Sequence, residues 1–104
     1  MKTLVVVEDA ISACNVARIH DAMALLGTKF FDEYVPYLRG YDRVIVCLDE
    51  DATNLSYAIA SKISVYVPEV IVLPLEEDLK FYNLEQLQEK LGDYAGREHS
   101  NKIA

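Results

Sequence analysis

Eight carboxylates in three short stretches are the residues of this chain best suited to chemistry: Glu8-Asp9, Asp49-Glu50-Asp51 and Glu76-Glu77-Asp78. Each stretch follows an apolar run: LVVV before the first, VIVCL before the second and VIVLPL before the third. Carboxylates packed together disfavour one another's ionised forms. A cation among them removes that cost. The set offers oxygen donors with no His or Cys, which suits a hard ion, Mg²⁺ or Mn²⁺, better than zinc. In an extended Asp49-Glu50-Asp51 segment, alternation turns both aspartates to the same side, where they could share one ion. Singly, each acid has a plainer use, because carboxylates after strands cap the helices that follow. Asp51, ahead of Ala52-Thr53-Asn54, could do only that.

The elements that must carry these acids alternate along the chain as β-α-β-α-β-α-β-α. Thr3 to Val7 is a β-branched run that reads as a strand. From Ala10 to Met23, apolar Ile11, Cys14, Ala17 and Ala22 recur at helical spacing, with Asp9 and Ser12 available as caps. Ala24 to Leu26 reads as a brief strand ended by Gly27, and Phe30 to Leu38 as a helical turn interrupted at Pro36, with Gly40 breaking the chain. Arg43 to Leu48 is unbroken apolar sequence after its arginine, as a strand covered on both faces requires. A helix beginning at Asp51 or Thr53 would bury Ala52, Leu55, Ile59, Ile63 and Tyr66 and stop at Pro68. Glu69 to Leu73 reads as a second doubly buried strand. Asn83 caps a last helix, Leu84 to Leu91, ended by Gly92. The expected architecture is α/β: a Rossmann-like, mostly parallel four-stranded sheet with helices on both faces. The functional crevice of such sheets lies at the carboxyl ends of the strands, where all three acidic stretches fall.

Size and composition set the outer bounds. With 104 residues, 52% of them hydrophobic and 26% charged, the chain has room for one core. The expected division is a single domain over residues 1–91 and a polar tail over 92–104. Seventeen acidic against ten basic residues give a net charge of −7, which speaks against a broad basic face for nucleic acid. Eight of those acids lie in the three stretches, and the remaining nine are balanced by the ten bases, so the excess is local. No apolar run approaches the ~20 residues of a membrane span, and two carboxylates after the first apolar run do not suit a secretory leader. Cys14 and Cys47 form no C-x-x-C pair and read as small buried hydrophobes. A cytoplasmic protein with no membrane association is expected. Lys29 could meet a phosphate or be ordinary surface. Tyr34, Tyr37 and Tyr41 could stack on bases, or half-cover the sheet edge.

The residues resemble a known family. An apolar strand ending in Glu, a helix, then a strand ending in Asp-x-Asp before another helix is the pattern of the Toprim domain. That domain is shared by DnaG-type and bacteriophage primases, topoisomerases, OLD-type nucleases and small RNA-maturing nucleases. The pieces are LVVVEDAISACNVARI, VIVCLDEDATN and IVLPLEEDLKFYNLEQL, with ALLGTKF similar to the strand and turn that bacteriophage primases place between the acidic motifs. The chain departs from the family's glycines after the glutamate, where it has Asp9, and after Asp-x-Asp, where it has Thr53-Asn54. The resemblance implies that Glu8 is a general acid/base and that Asp49 and Asp51 hold Mg²⁺ or Mn²⁺, with Asp9, Glu50 and Asp78 as further acidic site residues. It implies the catalytic core of a bacteriophage-type DNA primase, performing metal-dependent nucleotidyl transfer on single-stranded DNA or RNA, in the bacterial host's cytoplasm if phage-encoded. The chain has no zinc-binding cluster and no G-x-x-x-x-G-K-[ST] loop. Its own hold on nucleic acid is therefore expected to be weak, with a zinc-binding or helicase subunit of a replication complex as partner. A Toprim nuclease uses the same acids. A response-regulator receiver would also place acids after the first and third strands, but would need Ser or Thr after the fourth, where Leu73-Pro74 stands. A non-catalytic docking domain is the remaining alternative.

Overall fold

A computed structural model describes residues 2–25, 32–48, 53–73, 75 and 79–91. Four parallel strands build one sheet: β1 (Thr3–Val7), β2 (Asp21–Ala24), β3 (Arg43–Cys47) and β4 (Glu69–Val72). Their spatial order is β2-β1-β3-β4. Val7 of β1 pairs with Ala24 on one side and Cys47 on the other, while Val46 of β3 pairs with Val72. The unbroken apolar runs account for the two central strands: Val5, Val6, Val7, Val44, Ile45 and Val46 are wholly buried, as parallel strands sandwiched between helices must be.

Strand alternation sorts these side chains onto two faces. Leu4, Val6, Val44, Val46 and Leu48 pack with Leu38 of α2 (Val35–Leu38) and with Ile59 and Ile63 of α3 (Thr53–Ile63). Val5, Val7, Ile45 and Cys47 pack on the opposite face with Val16 of α1 (Ala10–Val16), Leu79 of a 3-10 turn (Leu79–Phe81), and Leu87 and Leu91 of α4 (residues 84–91). Helices thus cover both faces of a fully parallel sheet, the expected α/β Rossmann-like architecture. Among the described residues, no helix is long and apolar enough to cross a membrane.

Several boundaries differ from the sequence expectation. The first helix stops at Val16 and not Met23, because the Ile19 and His20 amides both turn back to the Val16 carbonyl, at 2.9 and 3.0 Å. Asp21 to Ala24, read as helix except for its last alanine, is β2. The edge of β1 supplies its backbone partners, and pairing overrides the helical preference of an alanine-rich run. Leu25 lies just past this strand, its amide 2.9 Å from the Val7 carbonyl. Pro36 does not interrupt a helix. It sits in the first turn of α2, where its missing N–H costs nothing, after a 3-10 turn at Asp32–Tyr34. Gly40 ends that segment at φ +88°, a left-handed conformation that other residues rarely adopt.

The later elements bring further differences. α3 buries Ile59 and Ile63 as expected but ends at Ile63, well before Pro68. The turn that follows sends Val67 into the core and leaves Tyr66 48% exposed, which removes Tyr66 from the buried face. β4 is half-buried throughout and not doubly buried, since it is the edge strand beyond β3. Cys47 is buried as expected, whereas Cys14 is exposed on α1. Asn83 caps α4: its Oδ1 accepts from the Gln86 amide at 2.8 Å while the Gln86 carboxamide oxygen accepts from the Asn83 amide at 2.9 Å. Gly92 and the tail expected after it lie outside the described residues, as does Ala52.

Candidate active site at the carboxyl edge of the sheet

The order β2-β1-β3-β4 reverses direction between β1 and β3. The chain leaves β1 through α1, which lies on one face, and leaves β3 toward α3, which lies on the other. Helices diverging from neighbouring strands open a crevice at their carboxyl ends, the usual binding place of open α/β sheets. Glu8 stands at that point. It follows Val7, whose register partner is Cys47, and Leu48 continues β3 beyond Cys47 as a buried residue.

Glu8 and Asp9 are adjacent carboxylates with different employment. Asp9 has extended backbone, φ −131° and ψ 163°, and is the N-cap of α1, its Oδ1 accepting from the Ser12 amide at 2.8 Å. This cap satisfies one of the helix's unpaired donors and brings negative charge to the helix's positive end. Glu8 is half-buried and makes no hydrogen bond or ion pair with any described residue. Among the described residues nothing commits its oxygens to the fold.

The other candidate site residues, Asp49, Glu50, Asp51, Asp78 and Lys29, lie outside the described residues, together with Glu76 and Glu77. The residues that flank them are placed. Leu48 is 2% exposed at the end of β3, and Leu75 and Leu79, on either side of the third acidic stretch, are 4% and 1% exposed. Among the described residues no three His, Cys, Asp or Glu side chains converge as a metal cage would require.

The donor chemistry that is placed fits a hard cation. Glu8 offers uncommitted carboxylate oxygens. Cys47, next to Leu48, is buried in the apolar cluster with Val5, Val7 and Ile45, and burial pushes its thiol up to about 12. His20 is occupied elsewhere, its Nε2 lying 3.2 Å from the Leu91 carbonyl. Two of the three tyrosines considered for base stacking have structural duties. Tyr34 donates to the Leu25 carbonyl at 2.6 Å, and Tyr41 donates to Asp21 Oδ2 at 2.7 Å. Tyr37 alone stands well out, 67% exposed.

One residue escaped sequence reasoning. Asn15 of α1 donates through Nδ2 to the carbonyls of Leu79, at 2.6 Å, and Tyr82, at 2.7 Å. The only signal was chemical: a carboxamide, poor in helix interiors, in a helix otherwise built of small and apolar residues. Ser12, named with Asp9 as an available cap, instead lies buried inside α1 and gives its amide to Asp9.

Comparison with known proteins bears on this geometry. None of the curated proteins matches the chain. A family model described as Toprim-like matches residues 5–80, about three quarters of the chain, from the middle of β1 into the 3-10 turn after β4. The match spans all three acidic stretches, and Toprim domains serve nucleic-acid processing with a bound metal. On the match and the parallel β2-β1-β3-β4 sheet together, the chain belongs to the Toprim-like family.

Proposed function

We propose that this chain is the catalytic core of a bacteriophage-type primase, carrying out Mg²⁺- or Mn²⁺-dependent nucleotidyl transfer on nucleic acid. The observation that carries the reading is Glu8, an uncommitted carboxylate at the carboxyl end of β1, at the switch point of a Toprim-like sheet. In this reading Asp49 and Asp51, just beyond Leu48, hold the ion, with Glu50, Asp9 and Asp78 as neighbouring acids and Lys29 as a phosphate contact. The ion, when bound, neutralises phosphate charge and stabilises charge developing on its oxygens.

The chain's own contribution is acid–base and steric. Glu8 takes the proton of an attacking hydroxyl or returns one to a leaving oxygen, and its half-buried position limits competing water. Val7 and Leu48, which precede Glu8 and Asp49, are buried in the apolar clusters on opposite faces of the sheet. The capped α1 fixes the direction in which the chain leaves Glu8. With a net charge of −7, affinity for a template comes from elsewhere, which supports a zinc-binding or helicase partner.

The test supplies the protein with Mn²⁺ and either single-stranded template plus ribonucleotides or labelled single-stranded DNA. Short products in the first arm, lost in Glu8→Gln and Asp49→Asn, support the primase. Shortened label in the second assigns a nuclease built on the same acids. Mn²⁺ that leaves the amide signals of Glu8 and Asp9 unbroadened refutes the metal site and leaves a docking domain. Acetyl phosphate adding mass at Asp49 would assign a receiver instead.

A further inference from the structure

The segment Pro68-Glu69-Val70-Ile71-Val72-Leu73-Pro74 reads the same in both directions about Ile71, except at Glu69 and Leu73. Its middle is β4, an edge strand of the sheet. The Glu69 and Leu73 amides donate to the carbonyls of Asp42 and Val46, at 3.2 and 3.0 Å. Strand alternation then turns the backbone N–H and C=O of Val70 and Val72 away from β3. Among the described residues no strand takes them. An edge left open in this way is a template for another strand.

Two properties of this edge fit it to a second copy of the chain. The first is charge. Of the seventeen acids only Glu69 lies between Ala52 and Leu75, and its carboxylate accepts from Arg43 Nε at 2.9 Å. α3, β4 and the turn between them therefore carry no uncommitted acid, on a chain of net charge −7. A like chain meets least repulsion there. Val65 and Tyr66, just ahead of the segment, are 76% and 48% exposed and extend the apolar surface.

The second is register. A two-fold axis at Ile71 sets Val70 against Val72 of the second copy, and the reverse, so every outward N–H and C=O finds a partner. Glu69 then faces Leu73 of the second copy, and no like charges stand opposite each other. Moving the axis to Val70 or to Val72 brings Pro68 or Pro74 opposite a valine, and proline has no N–H to give. The two prolines leave one complete register.

We propose that β4 is a self-association edge: two copies of this chain join through antiparallel β4 strands centred on Ile71, making one continuous sheet of their two. One short strand pair with a small apolar margin belongs to the weak class of interfaces. The proposal is independent of the metal chemistry at the carboxyl edge.

The test follows the full chain by sedimentation and amide exchange as its concentration rises. A dimer should appear. The Val70 and Val72 amides should then exchange several-fold more slowly, while the Ile71 amide, turned toward β3, keeps its rate. Val72→Pro removes one outward N–H and leaves the β3 bonds in place, a change that edge strands accept. It should raise the dimer's dissociation constant about tenfold or more. Val72→Thr keeps the N–H and should dimerise as the wild type does. A chain that stays monomeric up to about 1 mM overturns the proposal. So does a dimer in which Val70 and Val72 exchange as fast as in dilute protein, since its contact lies elsewhere. The exchange measurement needs no variant and decides the matter even if Val72→Pro fails to fold.

Discussion

Glu8 and Asp9 are neighbours of the same chemistry, and replacing them should have opposite effects on stability and on metal response. Asp9 caps α1 through a 2.8 Å bond from the Ser12 amide. Asp9→Ala removes that acceptor and should cost about 1 kcal/mol. For a domain of this size that lowers Tm by roughly 4–8 °C. Asp9→Asn keeps a capping oxygen and should cost much less. Glu8 has no partner among the described residues, so Glu8→Gln should change stability by no more than about 0.5 kcal/mol without metal. Mg²⁺ at about ten times its Kd should stabilise the wild type by about 1.4 kcal/mol. That corresponds to a rise of roughly 6–11 °C. Glu8→Gln should lose most of that rise, whereas Asp9→Asn should keep more of it. Thermal melts by circular dichroism, with and without Mg²⁺, measure all of these. If Glu8→Gln melts far below the wild type in the absence of metal, the carboxylate is structural. If it retains the full Mg²⁺ shift, Glu8 is not at the site.

Other expectations follow from burial and titration. Native protein at pH 8 should take up one equivalent of an alkylating reagent, at exposed Cys14, and two in denaturant, counted by mass spectrometry; buried Cys47, its thiol raised to about 12, should stay unmodified. Leu87→Ala removes a wholly buried side chain of α4 and should cost about 2–5 kcal/mol in urea unfolding; a small effect would mean that α4 is not part of the core. Tyr41 is raised from 10.0 to about 12, by burial first and then by its hydrogen bond to Asp21. The folded state therefore holds this proton more tightly than the unfolded state. The contribution is fully present below pH 10 and is lost as pH rises toward 12. Urea midpoints should fall over that window, and Tyr41→Phe should make the fall shallower.

The sequence by itself determined the elements whose signals are local. The apolar runs of Leu4–Val7 and Val44–Leu48 could only be strands buried on both faces, and Asp9 and Asn83 announced the helices they cap. The alternation of strands with helices gave the parallel α/β class, and the acids after the strands marked its carboxyl edge. Tertiary structure decided what local preference could not. Asp21–Ala24 is a strand because β1 offers it an unpaired edge, and Glu69–Val72 is half-exposed because among the described residues no strand lies beyond it. Tyr66 is turned out by a chain reversal that admits Val67. The strand order put Glu8 at the reversal between β1 and β3, and Asn15 found its partners 64 and 67 residues away. Spacing along a chain encodes which residues share a face of one element. Which edge a strand finds, and which distant carbonyl an amide reaches, is settled only when the faces are packed against each other.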